Sequence, residues 1–290
     1  MTEPVPDEVT DIYRSGFVSF VGRPNAGKST LTNAMVGQKV VITSDKPQTT
    51  RTVVRGIVNR PDAQLILVDT PGLHRPRTLL GERLNDLVKT TLGEVDVVAV
   101  CFPANEKVGP GDRFIVQEMA KVRRTIKVAV ATKTEWAEVV PVSAVSGSQV
   151  DLLADLLVGL LPEGPQLYPD GELSDAPEEI LVAELIREAS LDGVRDELPH
   201  SIAVVVEEMG LREGRPADRP LLDIHANLYV ERSSQKGIVI GHQGARLRDV
   251  GTRARHQIEA LLGTPVYLDL HVKIAKDWQR DPRQLRKLGF

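Results

Sequence analysis

The run Gly22-Arg23-Pro24-Asn25-Ala26-Gly27-Lys28-Ser29, set between an apolar stretch (Gly16–Val21) and a helix-forming one (Ser29–Val36), constrains this chain more than any other feature. A G-x-x-x-x-G-K-S segment at a strand-to-helix junction curls the backbone until its N–H groups face one centre, where a row of phosphates fits. The glycines permit the curl, Lys28 can reach the β and γ phosphates, and the Ser29 hydroxyl can take a Mg²⁺ ion. The helix that follows adds the positive end of its dipole. A chance glycine-rich turn would need neither the strand before it nor the helix after it.

The flanking pattern predicts an α/β domain with a mostly parallel sheet, because short apolar runs alternate with amphipathic ones. Strands are expected over 53–58 and 64–68, joined as a hairpin by an NRPD turn, and over 96–102, 126–131 and 139–142. Helices are expected over 79–92, 111–122 and 150–161. Residues 162–177 hold four prolines and no Lys or Arg, which predicts an extended linker. Beyond it come a helix (178–189), two strands (202–208, 222–231), two helices around Gly241–Gly244 and a last strand (266–274), an α+β unit in αββααβ order. The expected division is a disordered acidic leader at 1–14, a nucleotide domain at 15–162, the linker at 163–177 and the second domain at 178–290.

Charge separates the two ends. The chain carries a net charge of -4, yet residues 236–290 hold eleven Lys/Arg against five Asp/Glu. A basic end on an acidic protein suits a polyanion, although a solvated basic helix face looks the same on charge alone. The single cysteine, Cys101, excludes an internal disulfide and fits a reducing cytoplasm. The leader has no apolar core of a signal peptide, and the longest apolar run, 95–102, is too short to span a bilayer.

Two further segments extend the phosphate site. Asp69-Thr70-Pro71-Gly72 follows a strand, where an acid can bind Mg²⁺ and a glycine can bring its N–H to the γ-phosphate. The polar stretch 43–52 could close over that phosphate through the hydroxyl of Thr49 or Thr50, with Thr50 preferred; an ordinary surface loop has the same composition.

GRPNAGKSTL, PQTTR and DTPGLHRPR at these spacings resemble the TRAFAC GTPases and, within them, the Era family. The resemblance implies GTP/GDP and Mg²⁺ as cofactors. It makes residues 22–30, ending at Thr30, the P-loop, with Ser29, Thr50 and Asp69 on the metal and Lys28, Thr50 and Gly72 at the reacting phosphate. Leu73 stands where many related GTPases carry a water-positioning glutamine, and a leucine cannot orient water by hydrogen bonding. Slow intrinsic hydrolysis follows.

The base-reading motif of the family is altered here. Thr132-Lys133-Thr134-Glu135 stands for Asn/Thr-Lys-x-Asp, and the extra methylene of Glu135 moves its carboxylate by about 1.5 Å. Only a few residues join this strand to the next, whereas a parallel crossover needs roughly 10–12 and normally a helix. A natural deletion or an omitted segment is expected between Thr134 and Trp136. Ser143-Ala144 resembles the motif whose backbone N–H contacts the guanine O6, and is also what a plain strand-end turn looks like.

In the second domain, Lys236 precedes Gly241-His242-Gln243-Gly244, and Arg246 and Arg248 follow it. A GxxG loop between two helices in αββααβ order is the arrangement of a type II KH domain, whose loop clamps about four nucleotides of RNA. Trp278 has two readings, stacking on a base or packing the tail on its domain. The Era resemblance, which covers nearly the whole chain, implies binding to 16S rRNA near its 3′ end, help in assembly of the 30S ribosomal subunit, and loose contact with the inner face of the cell membrane by a monomer. The competing readings are a GTP-driven RNA switch, an RNA-binding scaffold with a degenerate nucleotide site, and a metabolic P-loop ATPase.

Overall fold

The computed structural model describes residues 12–46, 49–123, 125–133, 142–194, 198–216 and 218–290. Gln48, Glu135, most of the leader and most of the strand expected at 139–142 lie outside the described residues.

The first domain is built on five strands, β1 (Arg14–Val21), β2 (Val54–Asn59), β3 (Ala63–Asp69), β4 (Val97–Pro103) and β5 (Ile126–Thr132). Their order is β2-β3-β1-β4-β5. β1 runs parallel to β3 and β4, and β4 to β5, while the β2–β3 hairpin supplies the antiparallel edge. Every residue of β3 is buried, because helices cover both sheet faces. On one face α1 (Lys28–Val36) and α4 (Val150–Val158) pack Leu31, Leu153 and Leu157 against Phe20 and Leu67. On the other, α2 (Leu79–Glu94) and α3 (Pro110–Lys121) pack Val88, Leu92 and Ile115 against Val68 and Val98. The sheet reverses direction of growth at β1, so a crevice opens beyond the carboxyl ends of β1 and β3, where α/β sheets bind ligands. Val142 pairs with Thr132 as an isolated parallel bridge, with only nine residues between them in sequence.

The linker is extended but anchored. Buried Gln64 accepts the N–H groups of Leu167 and Tyr168 and donates to the Tyr168 carbonyl, and Ile57 N–H donates to Leu173 O. The chain thereby covers the open edge of β2, which would otherwise present unpaired backbone.

The second domain contains β6 (Ala203–Leu211), β7 (Leu222–Val230) and β8 (Val266–Ile274) in that order, antiparallel then parallel. Helices α5 (Glu178–Leu191) and α8 (Ala245–Leu262) bury Ile186, Val250 and Ile258 against Ile224 on one face of this sheet. The parallel β7–β8 crossover runs through α7 (Ser233–Ile240) and α8. This is the expected αββααβ KH arrangement, with two short additions that periodicity does not reveal, α6 (Leu198–Ser201) and α9 (Pro282–Lys287). For α9 a start signal was present, since Asp281 caps the Arg283 N–H and Pro282 follows it.

The domains share packed surfaces. Leu80 and Leu84 of α2 join Tyr229, Trp278 and Leu285 in one apolar cluster. No helix among the described residues is long and apolar enough to cross a membrane.

Candidate nucleotide and RNA sites

The phosphate loop leaves β1 at Gly22 and enters α1 at Lys28. A side chain at Gly22 would lie 2.9 Å from the Cys101 carbonyl, and Gly27 turns with φ +87°. Ala26 is buried in the core, and Thr132 Oγ1 donates to its carbonyl at 2.7 Å, bracing the curl from β5. The Lys28 ammonium points into the loop, 3.3 Å from Gly22 O and 3.1 Å from Arg23 O. Burial pulls its pKa below the ordinary lysine range, while nearby Asp69 works against that shift. The Arg23 side chain turns outward to Asp112 and Glu106, so Arg23 offers the cleft its backbone only. Asn25 donates to Asp45 O, tying the loop to the 43–46 segment. Pro24, Gly27, Ser29, Thr30, Gly72 and Lys133 line the resulting cleft of about 240 Å³.

Three oxygens converge at its edge. Ser29 Oγ lies 2.8 Å from Asp69 Oδ2 and 3.0 Å from Thr50 Oγ1, and the Thr50 hydroxyl lies 3.2 Å from the same carboxylate oxygen. The other carboxylate oxygen, Asp69 Oδ1, is buried without a hydrogen-bond partner. Burial raises the Asp69 pKa, opposed by Lys28 and the two hydroxyls. Two hydroxyls and a carboxylate with a spare buried oxygen are the donor set of a hard divalent cation such as Mg²⁺. Thr49 is placed elsewhere: its hydroxyl donates to Lys46 O and its carbonyl accepts from Arg187. Of the two threonines, Thr50 is the one whose hydroxyl stands against Ser29 and Asp69.

The 69–74 segment turns three candidate cleft side chains, Thr70, Pro71 and Leu73, into the protein. Gly72 passes so close to the phosphate loop that a Cβ would lie 2.8 Å from Pro24 N. Thr70 turns into the sheet and donates to Phe20 O, and Pro71 is buried beside it. Leu73 does not reach the cleft: its N–H bonds Gly22 O, and its side chain is buried between β1 and α2 with Val21 and Val88. The cause is apolarity, since a leucine gains more from that core than from a wet phosphate edge.

At the base end, Thr132 serves the phosphate loop and Lys133 is exposed with φ +56°. Ser143 closes a turn, its N–H donating to Ser148 O, and Ala144 packs on the core. Neither Ser143 nor Ala144 is among the described residues that line the phosphate cleft.

In the second domain, Gly241 adopts φ +71°, ψ 178°, and a Cβ there would sit 2.7 Å from that of Arg246. Gln243 and Gly244 also have positive φ, so His242 and Gln243 form an exposed loop that leads into α8. Beside it runs a groove of about 420 Å³ between α8 and β8. Gly244, Arg248, Thr252, Arg255 and Tyr267 line it. Thr252, Arg255 and Tyr267 were missed; the first two follow Arg248 at helical spacing, which was the available signal. Arg246, expected at this groove, instead donates to the carbonyls of Ser190 and Asp192, closing the end of α5. Lys236 lies on α7, partly buried, and is not among the described residues that line the groove. Trp278 is fully buried: its indole N–H donates to Ser201 O and its ring stacks on Phe290, so it packs the tail and stacks on no base.

Thr50 is flanked by ties between the domains. Arg51, buried, donates to Ile202 O at 2.6 Å, His200 O at 2.8 Å and Pro199 O at 3.1 Å. Arg187 of α5 holds the Thr49 carbonyl and pairs with Glu184.

Comparison with known proteins agrees with both halves. Residues 17–133 match the family model of 50S ribosome-binding GTPases, and residues 197–279 match that of KH domains. "GTPase Era" of Nocardioides sp. is 82% identical over 302 positions, covering 96% of each chain. "GTPase Era" of Streptomyces coelicolor is 67% identical, covering 100% of this chain and 99% of its own. That alignment runs over 313 positions against 290 residues here, so at least 23 positions of it have no counterpart in this chain. A crystal structure of Era with MgGDPNP and nucleotides 1506–1542 of 16S ribosomal RNA superimposes with TM-score 0.90 at 36% identity, covering 96% of this chain and 99% of that one. A point variant of Aquifex aeolicus Era bound to GDP and AlF₄⁻ does so with TM-score 0.89 at 37% identity, covering 95% of this chain and 99% of that one.

Proposed function

Because the chain belongs to the Era family of GTPases, we propose that it is a slow GTP-hydrolysing switch that binds 16S rRNA through its KH domain and assists 30S subunit assembly. The observation that carries this reading is the Ser29–Thr50–Asp69 oxygen triad, whose central threonine stands between two residues bonded to the second domain. It works in the cytoplasm as a monomer, and its contact with the membrane is peripheral.

The phosphate loop supplies inward N–H groups and the Lys28 ammonium to the β and γ phosphates of GTP, and releases GDP after hydrolysis. Ser29, Thr50 and Asp69 would hold Mg²⁺, which would supply positive charge against the developing charge of the phosphates. Gly72 can bring its N–H to the γ-phosphate because nothing projects from its α-carbon. No side chain at position 73 orients water, so single-turnover hydrolysis without a partner should stay below about 1 s⁻¹. Holding Thr50 at the γ-phosphate also holds Thr49 and Arg51, and so favours one seating of the KH domain. In that domain the GxxG loop and the α8–β8 groove, with His242, Gln243, Arg248 and Arg255, take single-stranded RNA. Lys28→Ala tests the division of labour: GTP binding should be lost and RNA binding kept. Loss of neither overturns the nucleotide half.

A second reading is favoured by one observation. Only nine residues separate Thr132 from Val142, and a full-length relative carries at least 23 positions without counterpart here. An RNA-binding scaffold with impaired guanine recognition fits that connector. Absence of any GTP preference over ATP would favour it.

A further inference from the structure

A cavity of about 220 Å³ lies between the 38–54 segment of the first domain and helices α5 and α8 of the second. Val41, Ile42 and Val54 line it from one side, and Leu181, Leu185 and Leu261 from the other. Ties between the two walls fix their spacing. Glu188 of α5 accepts from Lys39 Nζ and from the Thr43 N–H, and Arg187 donates to the Thr49 carbonyl. Close-packed interiors leave few voids larger than a water molecule, and an apolar void of about 150 Å³ already takes up benzene. Lys39 and Ala260 line the space too and are exposed, which gives it a mouth.

One polar atom there lacks a partner. Gln257 of α8 lines the cavity, and its Oε1 is buried with no hydrogen-bond partner among the described residues. The Glu184 carboxylate in the same wall is held by Arg187, and the Thr50 hydroxyl by Ser29. A buried acceptor left without a donor costs free energy that an entering donor recovers. Apolar walls beside a carboxylate disfavour an anion, and burial disfavours any charged ligand.

We propose that this cavity binds a small neutral apolar molecule carrying one N–H or O–H group, and that the bound molecule steadies the 38–54 segment for GTP. Thr50 lines the cavity while its hydroxyl stands against Ser29 and Asp69. A ligand seated against Thr50 favours that placement. This half of the inference rests on the reading of Thr50 as a Mg²⁺ ligand. Coupling of this kind is reciprocal, so GTP with Mg²⁺ tightens the apolar ligand by the same factor.

Indole serves as the probe, titrated into the full chain by calorimetry. Its dissociation constant should be about 1 mM or below, within reach of a ligand this small. Indene, of the same shape but without the N–H, should bind about fivefold more weakly. Gln257→Leu should remove that difference and raise the unfolding midpoint, because the orphaned acceptor is gone. Ala260→Phe places a ring at the mouth, on an exposed helix position, and should abolish indole binding. Saturating indole should tighten a fluorescent GTP analogue with Mg²⁺ about fivefold, the lower range of such couplings. No indole binding up to about 10 mM overturns the proposal, and so does binding that survives Ala260→Phe. Equal affinity for indole and indene removes the role of Gln257 and overturns it as well. Preference for hexanoate over indole would assign the cavity to an acyl anion, and that too overturns it. If GTP and indole both bind without affecting one another, the coupling is overturned. If indole binds as described but the chain holds no GTP, the cavity site stands and the nucleotide reading fails.

Discussion

The Arg51 guanidinium lies 5.6 Å from the centre of the Trp278 ring, so a cation next to Thr50 rests on the aromatic that anchors the C-terminal tail. Both side chains are buried. Burial and the like charge of Arg187 pull the Arg51 pKa down to about 9, which leaves it charged at neutral pH. Its three carbonyl partners lie 148 to 151 residues away in sequence.

Arg51→Met should therefore cost about 3 to 5 kcal/mol, because three buried carbonyls lose a charged donor while the apolar contact with Trp278 survives. Arg51→Lys should recover part of this, since a lysine keeps the charge but not the fork that spans several acceptors. Urea unfolding measures the cost. The coupling is read separately, as the change in RNA affinity on adding GTP with Mg²⁺. That change should vanish in Arg51→Met, and its persistence would show that the domains communicate by another route.

Thr50→Ala should weaken Mg²⁺-dependent GTP binding by at least roughly tenfold, the lower range for losing even an outer partner of a metal. Thr49→Ala should alter it little, because the Thr49 hydroxyl is spent on the Lys46 carbonyl and its link to Arg187 runs through the main chain. Titration of each variant with a fluorescent GTP analogue, with and without Mg²⁺, separates them. Equal losses in both would place the metal edge differently.

The difference between those threonines marks what a sequence can disclose. The phosphate loop, Asp69 and Gly72 were legible because each is a local motif whose backbone requirement is written in consecutive residues. The αββααβ order was legible because each element is long enough to show its period. Arg51, Arg187 and Gln64 were not, since their partners are main-chain groups more than a hundred residues away. Leu73 and Arg246 were misplaced for a related reason: position within a motif was taken as direction, while one turned to the core and the other to the end of α5. The Trp278 ambiguity was settled by Ser201 and Phe290, which no local pattern brings together.

The two glycines of the RNA loop should respond unequally to alanine. Gly244→Ala places a methyl in open space at φ +76° and should cost about 1 to 2 kcal/mol, the penalty of a left-handed residue. Gly241→Ala meets Arg246 at 2.7 Å in a backbone region that is essentially reserved for glycine, and should cost about 3 kcal/mol or more. The second also pushes Arg246 off the end of α5, so thermal unfolding should show a larger drop for Gly241→Ala. Equal drops would mean that the loop relaxes freely around position 241.

Guanine selectivity should be weak in this chain and recoverable only by lengthening it. Base discrimination of the order of 10⁴ requires a buried polar group placed to pair with the base edge. Here the carboxylate nearest that role in sequence is Glu135, with one methylene more than aspartate and only six residues between it and Val142. GTP should therefore outcompete ATP by less than about a hundredfold, as expected for sites that fall short of full polar complementarity. Glu135→Asp alone should not change the ratio, because it shortens the side chain without adding residues to a connector too short for a crossover helix. Inserting a helix-forming segment of about 12 residues after Thr134 should give room for a crossover helix and raise the preference by at least about tenfold. Competition of GTP, ATP and XTP against one labelled nucleotide measures all three proteins, and a strong preference for GTP in the unaltered chain would show that the short connector does not impair the base site.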